Sequence, residues 1–334
     1  MGAKGFFLSS FNAEHNGCTG VAKATARQVA EMSTAISLVQ GDPTISGKQI
    51  ARQVKAQNGV DIGNRMSYRV RDSIKSSKMG TYEESCQRLP SLLRLFEEVN
   101  PGTHTAVELD GDCRFRRAFL SNPDAARHQN KAQRILGFDG SFMKTLNQKN
   151  TMLILVGRDG NNKNIVMAVA LVPSEDTANC QWFVLNCLMA GIETIGIPFF
   201  MDRGKAGIAA ATTFGLQLHF CTRHIAGNMT KKFKALFTPD LQKRLYKIQQ
   251  SKSAEEFESR LLAFGINNSE MEAYVRNIVP ANWALYPYVD TIKLYKWRTT
   301  NFVESENGRA LPARELFPSE FFSHFMESFM ATKY

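Results

Sequence analysis

The chain has 334 residues, with 41 Lys and Arg against 31 Asp and Glu for a formal charge of +10, 43% hydrophobic residues and 22% charged residues. That length suggests about two domains, each able to bury a core, and the apolar fraction excludes wholesale disorder. The longest apolar runs, 152–156 and 165–173, fall far short of the roughly 20 residues of a membrane-spanning helix, so no membrane partner is expected. Phe6-Phe7-Leu8 is too short for the core of a signal peptide, and six cysteines without a Cys-x-x-Cys pair suit reduced thiols inside a cell.

Along the chain, the basic excess concentrates at 46–80, where Lys48, Arg52, Lys55, Arg65, Arg69, Arg71, Lys75 and Lys78 stand against only Asp61 and Asp72. Ile50 and Val54, then Ile62, Met66, Val70 and Ile74 beyond Gly59, recur at helical spacing. Two short amphipathic helices about a glycine turn resemble a helix-turn-helix, and a helical hairpin with a solvated basic face is the plainer alternative. A third helix is expected over 82–99, with Leu89, Leu92, Leu93 and Phe96 on one side and Asn100-Pro101-Gly102 as its stop. From 103 to 221 short β-like runs follow at 105–109, 113–119, 135–139, 152–156, 165–172, 197–201 and 216–220, with helix-like segments at 177–188 and 205–214. Such an order predicts a mixed α/β layer. The stretch 224–290 returns to helical pattern, and one or two helices are expected around Pro312 and Pro318.

Three acids stand where strands end or a helix begins: Asp139 after 134–138, Asp202 after 197–201, and Glu304 within Thr300-Asn301-Phe302-Val303-Glu304-Ser305. A carboxylate directly after an apolar strand is held by a rigid element while its oxygens reach the sheet edge, which is how a site for a hard cation is built. Each acid also has a plain reading. Asp139-Gly140 suits a hairpin turn, Asp202 suits the cap of the next helix, and Glu304 suits a solvated helix position. Asp159-Gly160-Asn161-Asn162, between two apolar runs, is the better turn. Trp182 is read chiefly as a core residue, with base stacking as the alternative.

The motifs in series are Gly137-Phe138-Asp139-Gly140-Ser141-Phe142-Met143-Lys144, Val156-Gly157-Arg158-Asp159-Gly160-Asn161-Asn162, Trp182-Phe183, Asp202-Arg203-Gly204-Lys205-Ala206-Gly207, His219-Phe220-Cys221-Thr222-Arg223-His224 with Asn228, and Thr299 through Asn307. In order and spacing this series resembles the transposase domain of Mutator-like elements, over roughly residues 95–320. The resemblance implies a ribonuclease-H-like α/β fold in which Asp139, Asp202 and Glu304 form the acidic triad and bind Mg²⁺ or Mn²⁺. Its Glu-Ser-x-Asn pattern selects Glu304 over Glu306. It also implies a helical insertion between the second and third acids. The domains expected are a zinc-finger remnant at 1–40, a basic helical region at 41–102, the core at 103–224, the insertion at 225–295 and C-terminal helices carrying the third acid at 296–334.

Arg203 and Lys205, beside Asp202, are placed to meet phosphate, and Lys48, Arg52, Arg65 and Arg69 are the expected contacts to double-stranded DNA. Cys221 and His224 belong to a family motif whose role is left unassigned. Zinc is not expected, because His219, Cys221 and His224 lack a fourth ligand nearby, and His15 and Cys18 lack the upstream cysteine pair of a finger. The chain therefore reads as a copy shortened at both ends. The activity implied is cut-and-paste transposition by two-metal phosphodiester cleavage and strand transfer, with self-association and a nuclear location. The alternatives are a catalytically inactive transposase-derived DNA-binding protein or regulator, and a host nuclease of the same fold.

Overall fold

The computed structural model describes residues 23–42, 45–79, 81–144, 150–295 and 297–331, so His15 and Cys18 lie outside the described residues. The chain divides into two compact units, 1–78 and 79–334. In the first, α1 (Ala26–Ala30), α2 (Ser33–Gly41), α3 (Gly47–Asn58) and α4 (Asn64–Met79) share one apolar cluster built on Val29, Val39, Ile50, Val54, Ile62 and Val70. Residues 23–41 thus fold as helices with the basic region. Ser46 opens α3 with a reciprocal cap on Gln49, and Gly59 closes it at φ 68°, a left-handed turn that favours glycine. The helix break expected at Asn58-Gly59 falls there.

The second unit begins with α5 (Tyr82–Val99), capped by Thr81 and Glu84. The strands are β1 (Thr105–Leu109), β2 (Phe115–Ser121), β3 (Gln133–Phe142), β4 (Thr151–Arg158), β5 (Asn164–Val172), β6 (Pro198–Met201) and β7 (Gln217–Phe220). They form one mixed sheet in the order β1-β2-β5-β4-β3-β6-β7. The β3–β6 and β6–β7 pairs are parallel, and the remaining pairs are antiparallel. Asp159 is the turn between β4 and β5, its Oδ1 accepting from the backbone N–H groups of Asn161 and Lys163 at 2.9 and 2.7 Å.

Short α6 (Ala125–His128) precedes β3, α7 (Thr177–Met189) follows β5, and α8 (Lys205–Thr213) links β6 to β7. Then come α9 (Thr222–Phe233), α10 (Pro239–Gln249), α11 (Ala254–Gly265), α12 (Ser269–Arg276), α13 (Asn301–Arg309) and α14 (Pro318–Ala331). β4 is buried along its whole length, as a strand covered on both faces must be, and its residues divide by parity. Met152, Ile154 and Val156 join α5, α13 and α14 in one cluster, while Leu153 and Leu155 join α7 and α8 in another. A third cluster, around Met229, Leu245, Phe257, Leu261, Phe264 and Trp283, gives α9–α12 a core of their own. α5, read from sequence with the basic region, packs into the second unit through Leu89, Leu93 and Phe96. Among the described residues no helix is long and apolar enough to cross a membrane.

Candidate active site

Asp139 lies on β3, half-buried, on the face that meets α13. Parity puts Gly137 on that same face, where an added Cβ would sit 2.6 Å from the Phe302 ring. The close approach brings α13 to the strand, so that Asn307 Nδ2 donates to Asp139 Oδ2 at 2.6 Å. Glu304, one turn earlier on α13, is half-buried and paired with Arg223 of α9. It also lies 3.8 Å from His224 Nε2 and accepts from the Thr300 hydroxyl at 3.4 Å. Glu306 is buried apart from these groups and accepts from Asn164 and Arg309, at 2.7 and 3.0 Å.

Asp202 stands just past β6, the parallel neighbour of β3. Its Oδ1 accepts from the Gly204 backbone N–H at 2.8 Å, and Gly204, not Asp202, is the cap residue of α8. The side chain is thus turned back upon its own loop and leaves one carboxylate oxygen for other partners. Chain folding brings Asp202 and Glu304 close enough for their charges to act on Asp139. Asp139 is pushed up to about 6, first by burial, then by Asp202 and Glu304, against the opposing pull of His224 and the Gly140 N–H.

Two further groups sit beside the acids. Burial raises the Cys221 thiol, but hydrogen bonding with His224 and Thr300 outweighs it and leaves the group below its ordinary value. His224 is raised in return, by Cys221 first and, after the opposing effect of burial, by Asp202 and Asp139 as well. The Cys-x-x-His motif therefore places an imidazole beside the acids, with His224 Nε2 on the Glu304 side. His219 takes no part in it, packing against Phe200 and Tyr288 with ring centroids 4.6 and 5.7 Å away. Trp182 is half-buried against Phe119, with Arg117 stacked 4.5 Å over it, which is the core role expected of it.

Sequence reasoning missed Glu175, between β5 and α7. It is raised to about 7, by partial burial first and then by Asp202 and Asp139. Its only sequence signal was an acid in a polar run after an apolar strand. The basic residues divide by place. Lys205 is exposed at the start of α8, whereas Arg203, expected to meet phosphate, donates to the Tyr274 hydroxyl at 3.1 Å and lies against Phe220. Lys48 and Arg52 on α3, and Arg65 and Arg69 on α4, are all exposed, as a phosphate contact requires.

Among the described residues, no three of His, Cys, Asp and Glu are grouped tightly enough to hold a metal ion as they stand. The donor chemistry nevertheless fits a hard cation. The cluster offers carboxylate oxygens on rigid elements, and the buried Asn307 Oδ1, geminal to the nitrogen that serves Asp139, has no hydrogen-bond partner. Comparison of the sequence with models of known families and with curated proteins finds no match.

Proposed function

We propose that this chain is a cut-and-paste DNA transposase of the Mutator-like kind, built on a ribonuclease-H-like core with Asp139, Asp202 and Glu304 as its catalytic acids. The observation that carries the reading is that Asp139 on β3 is held by Asn307 of α13 and lies near enough to Asp202, at the end of β6, and Glu304, on α13, for their charges to act on it. The sheet supports the fold assignment: counted from β3, five strands run third-second-first-fourth-fifth with the second antiparallel to its neighbours, and the first acid lies on the first strand. The helical cluster of α9–α12 falls between the second and third acids, where the family resemblance implies an insertion.

In this reading Asp139 and Asp202, on the parallel strand pair, would hold divalent cations together with Glu304, which the structure pairs with Arg223. Mg²⁺ bound by these carboxylates would supply activation of the attacking oxygen and stabilisation of the leaving one. Asn307 holds the Asp139 carboxylate in place. Lys48, Arg52, Arg65, Arg69 and Lys205 bind the DNA backbone, and joining two transposon ends to one target calls for self-association and a nuclear setting.

The test is Mg²⁺-dependent nicking and strand transfer on plasmid DNA by the full chain. Asp202→Asn and Asp139→Asn should each lower cleavage on the order of a hundredfold or more while DNA affinity is kept, since a catalytic cation is worth several kcal/mol. A folded wild type that binds DNA and leaves it uncut in both Mg²⁺ and Mn²⁺ would establish the non-catalytic DNA-binding alternative.

A further inference from the structure

Asn307 lies one turn past Glu304 on α13, and a three-residue step keeps the two side chains on the same side of the helix. That side meets the face of β3 that carries Asp139. The residues between them are committed elsewhere: Ser305 Oγ donates to the Phe302 carbonyl at 3.1 Å, and Glu306 accepts from Asn164 and Arg309. Asn307 is 7% exposed, and its Nδ2 donates to Asp139 Oδ2 at 2.6 Å. An ionised carboxylate only accepts hydrogen bonds, so the amide turns its nitrogen to Asp139 and its oxygen is the end left over.

That oxygen, Oδ1, is buried and accepts from nothing among the described residues. Folded proteins seldom leave an amide oxygen in this state, because a buried acceptor without a donor is destabilising. The two ends of an amide are about 2.3 Å apart, which keeps Oδ1 within about 5 Å of Asp139 Oδ2. A single divalent cation with metal–oxygen bonds of about 2.1–2.5 Å bridges two oxygens at such a span. Among the described residues no three of His, Cys, Asp and Glu are grouped for a metal, and on the α13 face the donor that stands beside Asp139 is this amide. An amide oxygen ligates hard cations and adds no negative charge, so it can stand against Asp139 where another carboxylate would be repelled.

We propose that Asn307 Oδ1 is a ligand of a divalent cation on the α13 face of β3, sharing that ion with Asp139 and Glu304. One amide then serves both ends of the contact, its nitrogen steadying the first acid and its oxygen binding that acid's ion. The proposal rests on the reading of Asp139, Asp202 and Glu304 as a cation site and adds a neutral donor to it.

The experiment measures Mn²⁺ binding by the full chain, with electron spin resonance for the free ion, calorimetry for affinity and circular dichroism to verify folding. Asn307→Ala, which removes both the N–H and the oxygen, should lower the affinity about tenfold or more. Asn307→Asp keeps an oxygen but loses the N–H that steadies Asp139, and should restore at least the wild-type affinity. Pulsed electron spin resonance on chain labelled with ¹³C in the asparagine carboxamides reads the bond itself and needs no Ala variant to fold. Wild type should show coupling between Mn²⁺ and a ligand carbon, and the coupling should vanish in Asn307→Asp, whose other asparagines carry the same label. Mn²⁺ bound by wild type without that coupling, a coupling that survives Asn307→Asp, an unaltered affinity in Asn307→Ala, or an Asn307→Asp chain as weak as Asn307→Ala would each overturn the ligand role. Asn307 would then be a positioning residue for Asp139, with the acids' site left standing. No Mn²⁺ bound by wild type, or undiminished binding in Asp139→Asn, would overturn the cation-site reading itself.

Discussion

At His219 an imidazole is 1% exposed and neither ring nitrogen has a hydrogen-bond partner. Burial lowers its pKa to about 3. Above the unfolded value near 6.5 the ring is neutral in both states and has no pH-linked effect. Below it the unfolded chain takes up a proton that the folded chain refuses, so stability is lost by about 1.4 kcal/mol per pH unit down to about pH 3. His219→Leu removes that linkage, and urea unfolding at pH 7 and pH 5 should show the variant gaining about 2 kcal/mol on wild type over the interval. A constant gap would mean that the ring is solvated in the native state. The same scale decides which site residues were legible. Asp139 and Asp202 could be found because each follows an apolar run, a position visible in one dimension, although β3 continues past Asp139 to Phe142 and only Asp202 stands beyond its strand. Glu175 could not, because its sequence neighbours are cap residues and only side-chain reach across β3 joins it to the acids. Arg223, read as part of a motif, is Glu304's partner through a contact between α9 and α13 that no spacing shows.

The element that positions the site is α13, and its approach to β3 depends on one missing side chain. A Cβ at Gly137 would meet both Phe302 and Val303, so Gly137→Ala must push α13 away from the strand that carries Asp139. Overpacking of this kind costs about 1–3 kcal/mol. Because Asn307 and Glu304 ride on the displaced helix, Mn²⁺ affinity should fall together with the thermal midpoint. A variant destabilised in the melt but with unaltered ion binding would show that α13 is not what holds the site. Most elements themselves were readable from periodicity. The helix at 82–99 and the strand at 105–109 have the bounds expected, since a cap and a Pro-Gly stop bracket the first and an alternating run makes the second. Periodicity could not say which unit α5 joins. Its apolar side suits any core, and only the packing of Leu89 and Leu93 into the cluster shared with α14 assigns it.

For the molecule as a whole, a charge of +10 says that a polyanion is attracted but not where it binds. The arrangement of the basic residues is more selective. Lys48 and Arg52 lie one turn apart on α3, Arg65 and Arg69 one turn apart on α4, and all four are exposed, while Ile50, Val54 and Val70 fill the interior of that unit. Helices that direct apolar residues inward and paired cations outward are suited to track a phosphate backbone, and each phosphate neutralised releases condensed counterions. If the chain binds DNA as proposed, the dependence of its affinity on salt counts these contacts. With the full chain, replacing Lys48, Arg52, Arg65 and Arg69 by Ala should flatten the slope of log K against log salt concentration by up to about 3.6 for duplex DNA. Asp202→Asn should leave the slope nearly as it is, because its carboxylate meets the backbone only through bound cations. A slope unchanged by the fourfold substitution would place the DNA contacts on the second unit, with Lys205 and the basic residues of α9–α12 as the next to vary, and would leave the N-terminal helices with a purely structural role.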